Sequence, residues 1–159
     1  MHGVSRALLL LTILAALTLG AFLALGRDGA QANPDPTITV NGYDDFNSRD
    51  GQMTLREAVM LATGDLSLTS LSQAECIRVS PASWDSTLGC SSSDPPGASS
   101  ADTIVFDTAI FPPGSPGTIT LTNIYVHLHT GGDSVDGSGA GVIVDGGGPN
   151  LHMLPHRLR

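Results

Sequence analysis

Three carboxylates near the C-terminal end, Asp133, Asp136 and Asp145, lie among glycines. Calcium is bound by oxygen ligands in pliant loops, so these three are the calcium candidates of the chain. The run Gly131–Gly132–Asp133–Ser134–Val135–Asp136 fits only part of the nonapeptide calcium repeat. Ser134 stands where a glycine is needed, and the repeat is not iterated, so acids at solvated turns are the preferred reading. Asp44, Asp45 and Asp50 form a second acidic loop, for which solvation is again preferred to a cation. His127 and His129 flank Leu128. On a strand they would share one face and could bind a metal, but no third ligand follows at a suitable spacing, and solvent-facing histidines are preferred. Calcium is the one cofactor kept in view.

Arg56 and Glu57 are the nearest thing to an acid–base pair, yet adjacent helix positions point in different directions. Cys76 and Cys90 are the only cysteines. They lack the C-x-x-C redox spacing, and no histidine lies between them to complete a zinc site. A structural disulfide is the preferred reading. Closing a loop of about 15 residues would contribute about 3 kcal/mol in the chain-entropy model.

The element best placed to organise these groups is the helix Thr54–Ala62. Thr54 and Glu57 have the S/T-x-x-E spacing of a capping box, and Glu57 falls in the first turn, where the helix dipole favours a carboxylate. Leu55, Ala58, Val59 and Ala62 fall at i, i+3, i+4 and i+7, an apolar stripe that must pack on something. Gly64 is the expected stop. Thr37–Val40, Thr103–Phe106 with its flanking Asp102 and Asp107, Thr118–Thr122, Ile124–Leu128, Ser134–Asp136 and Val142–Asp145 read as short strands, with Asp-Gly corners at Asp136–Gly137 and Asp145–Gly146. Ile77–Val79 suggests another. Leu66, Leu68 and Leu71 are spaced in a way that fits strand or helix. Pro81–Ser100 reads as an inserted loop held at its base by the cysteines. Trp84 lies within that loop. Burial of its indole against the domain is preferred over an exposed indole stacking on a sugar.

The chain has 159 residues and a formal net charge of −8, and it contains no lysine. Without a basic stripe there is nothing to neutralise phosphates, so nucleic acid is not an expected partner. Residues Ala7–Leu25 are apolar and follow Arg6, and Ala30–Gln31–Ala32 has the small-x-small pattern of a cleavage site. Residues 1–32 therefore read as a secretory signal peptide with Asn33 as the first mature residue. The alternative is an uncleaved membrane anchor, and it would be the only membrane contact. Either reading makes the protein secreted or cell-surface. The last residues, Pro149–Arg159, lose the Gly/Asp pattern and look like a truncated or frame-altered tail.

Thr37–Val40, the acidic loop and Met53–Thr54–Leu55–Arg56–Glu57–Ala58 resemble the N-terminal segment of bacterial CSLREA-domain proteins. Leu55–Ala58 matches the motif in full, Thr54 stands for its serine and Met53 for its cysteine. Residues 102–148 look like the opening turns of the right-handed parallel β-helix that usually follows. The resemblance implies a mainly β fold: first coils of a parallel β-helix, with the Thr54–Ala62 helix as a lid burying Leu55 and Val59 near Ile104 or Ile119. In that reading 33–64 is the strand–loop–helix cap, 65–101 the disulfide-closed insertion and 102–148 the first coils. The implied function is a non-catalytic, adhesin-like or polysaccharide-associated surface protein whose partner is a polysaccharide or another protein. The alternatives are the N-terminal part of a polysaccharide lyase or glycoside hydrolase, and a non-functional truncated frame.

Overall fold

The computed structural model describes residues 35–97, 99–122 and 127–147. The signal segment, the tail from Pro149 and most of the Ile124–Leu128 strand lie outside these residues. Among the described residues, no helix is long and apolar enough to cross a membrane.

The alternating, β-branched run Thr37–Val40 forms β1, with Ile38 and Val40 buried and Thr37 and Thr39 half-buried. It is followed by the helix α1, Leu55–Ala62, a 3₁₀ turn, Leu68–Ser70, and the one-turn helix α2, Gln73–Cys76. The leucines that fitted either pattern thus lie in or beside helical turns. Then come β2 (Val79–Ser80), β3 (Ser83–Asp85), β4 (Gly89–Ser91), β5 (Thr103–Phe106), β6 (Gly117–Thr120), β7 (Ser134–Asp136) and β8 (Val142–Asp145).

These strands form a four-stranded sheet in the order β2-β1-β5-β7 and two two-stranded sheets, β3-β4 and β6-β8. β1 and β5 are parallel, as are β5 and β7, whereas β2 runs antiparallel along the edge of β1. Parallel register stacks Ile38, Ile104 and Val135 in one row and Ile119 beside Val144 in the β6–β8 pair.

This arrangement corrects the expected fold class. A right-handed parallel β-helix repeats one strand order on each face, coil upon coil. The described residues instead form three small sheets, one mixed, interrupted between β1 and β5 by two helices and a hairpin. The antiparallel β2 makes the four-stranded sheet mixed and covers the outer edge of β1. Short strands with Asp-Gly corners specify turns; they do not specify which strands become neighbours.

Helix α1 consequently lies on a sheet rather than over the end of a solenoid. It packs against β1 and β5. Leu55, Ala58, Val59 and Ala62 are all buried, as the stripe requires, and Leu61 is buried with them. The core continues through Met53, Leu68, Leu71, Val79, Phe106, Phe111, Ile119 and Leu121. The helix stops as expected: Gly64 takes the left-handed conformation, φ +78°, that a β-carbon disfavours, and its N–H reaches the Leu61 carbonyl at 3.1 Å. Phe111 stacks edge-on to Phe106 and tilts against Tyr43. The Tyr43 ring packs closely over Gly117, where a β-carbon would force the ring to shift.

The expected loop Pro81–Ser100 is only partly a loop. Its first half is the antiparallel hairpin β3–β4, with Trp84 directly across from Cys90. Cys76 and Cys90 form the expected disulfide, with their Cα atoms 5.6 Å apart. It joins the end of α2 to β4.

Candidate functional site

The capping box is formed in full. The Glu57 N–H donates to Thr54 Oγ1 at 3.2 Å, and the Thr54 N–H donates to Glu57 Oε2 at 2.9 Å. A second box, unrecognised in the sequence although Ser72-x-x-Glu75 has the same spacing, opens α2. There the Ser72 N–H donates to Glu75 Oε2 at 2.8 Å.

The two boxes share one cation. Arg49, from the acidic loop, forms ion pairs with Glu57 and, at 3.3 Å, with Glu75. Both glutamate side chains are fully buried. Loop backbone completes the set: the Ser48 N–H donates to Glu57 Oε1 at 2.8 Å, and the Gly51 N–H donates to Glu75 Oε1 at 3.3 Å. Each glutamate therefore caps its own helix and also holds residues 48–51 in place. Two carboxylates facing one guanidinium leave an excess negative charge in the interior.

Arg56 turns elsewhere. Its Nη2 donates to Asp45 Oδ2 at 2.7 Å, and the same oxygen accepts from the Thr122 N–H at 2.7 Å. Asp45 is thus buried between α1 and the end of β6, not solvated as its acidic loop suggested. Asp50 fits the expected turn role, accepting from the Gln52 N–H and the Ser48 hydroxyl; Asp44 stays exposed. Arg56 and Glu57 are each engaged with a different partner, and they make no acid–base pair.

The three calcium candidates are not brought together. Asp136 accepts from the Ser138 N–H and Asp145 from the Gly147 N–H, each closing its own turn. Asp133 Oδ1 accepts the Asp102 N–H at 3.1 Å, and its Oδ2 accepts the Thr130 hydroxyl. Asp102, which drew no attention in the sequence beyond its strand, is the buried carboxylate of this region. It accepts from the Gly97 N–H at 2.9 Å and from the Ser100 hydroxyl.

Burial shapes the acid–base behaviour. Desolvation is the main influence on Glu57 and pushes its carboxyl above the ordinary 4.5, against the hydrogen bonds from Thr54 and Ser48 and the charge of Arg49. Desolvation likewise leads at Asp102, with Asp133 and Asp94 adding to it, and raises that carboxyl above 3.8. A raised carboxyl binds its proton more readily folded than unfolded, so stability grows as pH falls through the folded value and the gain is complete below the ordinary one. Asp50 is shifted the other way, chiefly by the Gln52 N–H; its contribution is present above 3.8 and is lost as pH falls below it. Melting temperature is therefore expected to rise as pH falls through the raised values of Glu57 and Asp102, and to fall once the acid is strong enough to protonate Asp50, below 3.8. Asp102→Asn should flatten the rising limb. A melting temperature that declines steadily from neutral pH to pH 5 would show that the buried carboxylates are not desolvated as described.

The exposed chemistry lies elsewhere. Trp84, the only tryptophan of the chain, keeps 37% of its surface in solvent, and Leu88 at the tip of its hairpin keeps 76%. Cross-strand partners share a face, so the indole stands beside buried Cys90 and is steadied by the disulfide. This corrects the preferred expectation of a buried tryptophan. Separately, His127 and His129 do share a side: their rings stack with centroids 5.7 Å apart. They line a small cleft with Arg56, Val59, Met60, Thr63 and Asp65. Comparison with family models, curated proteins and solved structures returned no match to this chain.

Proposed function

We propose that the protein is an exported, non-catalytic binding module that holds polysaccharide on its disulfide-closed hairpin, with Trp84 as the stacking surface. The observation that carries this reading is the partly exposed Trp84 on β3, directly across from the disulfide-bonded Cys90. Tryptophan offers a sugar a large rigid apolar face and an N–H donor at small entropic cost. The Cys76–Cys90 disulfide supports a location outside the cytoplasm, as does the apolar run at residues 7–25. The Met53–Ala58 segment supports placing the chain beside the CSLREA-domain proteins, with the capped helix as the shared element. The carboxylates that might have formed a catalytic pair are instead engaged: Glu57 and Glu75 with Arg49, and Asp45 with Arg56.

Retention of the exported chain on insoluble polysaccharides tests the proposal. The wild type is expected to bind at least one of cellulose, chitin and a cross-linked acidic polysaccharide. Trp84→Ala should weaken that binding by a factor of about 30, the effect of losing an aromatic anchor worth about 2 kcal/mol. Trp84→Phe should retain part of it. Equal retention of wild type and Trp84→Ala overturns the assignment. Release of new reducing ends from the bound polymer would replace it with the hydrolase or lyase reading.

A further inference from the structure

Two features of the His127–His129 pair go beyond its His-x-His spacing. The rings are nearly parallel, 16° between planes. His129 Nδ1 also lies 3.3 Å from the His127 carbonyl oxygen. With its proton on Nδ1 the ring donates there and keeps the Nε2 lone pair for a ligand; such a backbone partner is the usual support of a metal-binding imidazole. Both histidines are exposed, so the His127 ring is free to turn toward an ion held at His129 Nε2, at the roughly 2.0–2.1 Å that zinc requires, while the His129 contact stays in place. The other charged groups on the cleft are Asp65, whose Oδ2 accepts the Thr63 hydroxyl at 3.1 Å, and Arg56, whose charge is offset by Asp45. The net charge of −8 adds a long-range attraction for cations.

We propose that His127 and His129 form a two-histidine clamp for a divalent transition ion at the mouth of this cleft, independent of the polysaccharide surface at Trp84. Imidazole ligands select copper, nickel and zinc over calcium and magnesium. Among the described residues, no group of three or more His, Cys, Asp or Glu is placed to hold an ion. The clamp therefore supplies two ligands, and water completes the shell. The site is an open, exchangeable one.

Calorimetric titration of the full chain with Cu²⁺, Zn²⁺ and Mg²⁺ separates the outcomes. The expected result is a one-to-one Cu²⁺ site, Zn²⁺ weaker, and no Mg²⁺ binding. His127→Ala and His129→Ala should each weaken Cu²⁺ binding at least tenfold, and thermal melts of the metal-free variants should match the wild type because both side chains are exposed. Cu²⁺ binding undiminished in the His127→Ala/His129→Ala double variant, carried by His2, His152 or His156, overturns the proposal, as does the absence of Cu²⁺ binding in the wild type.

Discussion

Arg49→Ala is expected to destabilise the protein by about 3 kcal/mol, a figure set by the cost of leaving buried charges unpaired and reduced for the partial exposure of the arginine. For a domain of this size that is a fall in melting temperature on the order of 10 °C. The reason is specific to the arrangement. Glu57 and Glu75 are fully buried and share this one guanidinium. Deleting it leaves two carboxylates facing each other across the acidic loop, with only backbone N–H groups and capping hydroxyls for company. The same logic predicts a non-additive series. Arg49→Met combined with Glu57→Gln and Glu75→Gln should be more stable than Arg49→Ala alone, because the triple change removes the desolvation cost together with the attraction. Urea unfolding with a single fitted m value measures both. An Arg49→Ala loss below about 0.5 kcal/mol would mean that the pairs behave as ordinary surface ion pairs.

The second large effect belongs to the disulfide. Cys76→Ala with Cys90→Ala is expected to cost about 3 kcal/mol, because a loop spanning 14 positions is no longer closed in the unfolded chain. Both sulfurs are buried, so alanine is the better probe; serine would add an unpaired hydroxyl. The disulfide also holds β4 directly across from Trp84. Its loss should therefore red-shift the emission of this single tryptophan before the rest of the chain unfolds, and dithiothreitol should reproduce the shift. Identical unfolding midpoints for the oxidised chain and the variant would remove the disulfide from the account.

What could be read in the sequence was local. The box Thr54–Glu57, the stripe from Leu55 to Ala62 and the stop at Gly64 all lie within about three turns of chain, and all are present. β1, β5, β7 and β8 fall on the expected runs, since alternation of side chains is a property of a strand alone. Partnership was not legible. Arg49 carries no mark in the sequence that joins it to Glu57 and Glu75, and Asp45 gives no sign that it faces Arg56 and Thr122. The second box, Ser72–Glu75, was legible in principle, but its helix has only four residues and no apolar stripe to draw attention to it. The β-helix expectation failed for the same reason: short strands fix their own faces, while sheet order depends on what the intervening chain allows. Trp84 was misjudged because a hairpin closed by a disulfide can hold a large aromatic ring without covering it.

Polysaccharide binding at Trp84 can be followed through the fluorescence of that residue. The oxidised, folded chain is titrated with a soluble oligosaccharide of the polymer that retains it. A saturable change in Trp84 emission is expected, with the same midpoint as binding measured by retention. Emission that stays constant through saturation of that binding would contradict it, placing the ligand elsewhere on the molecule.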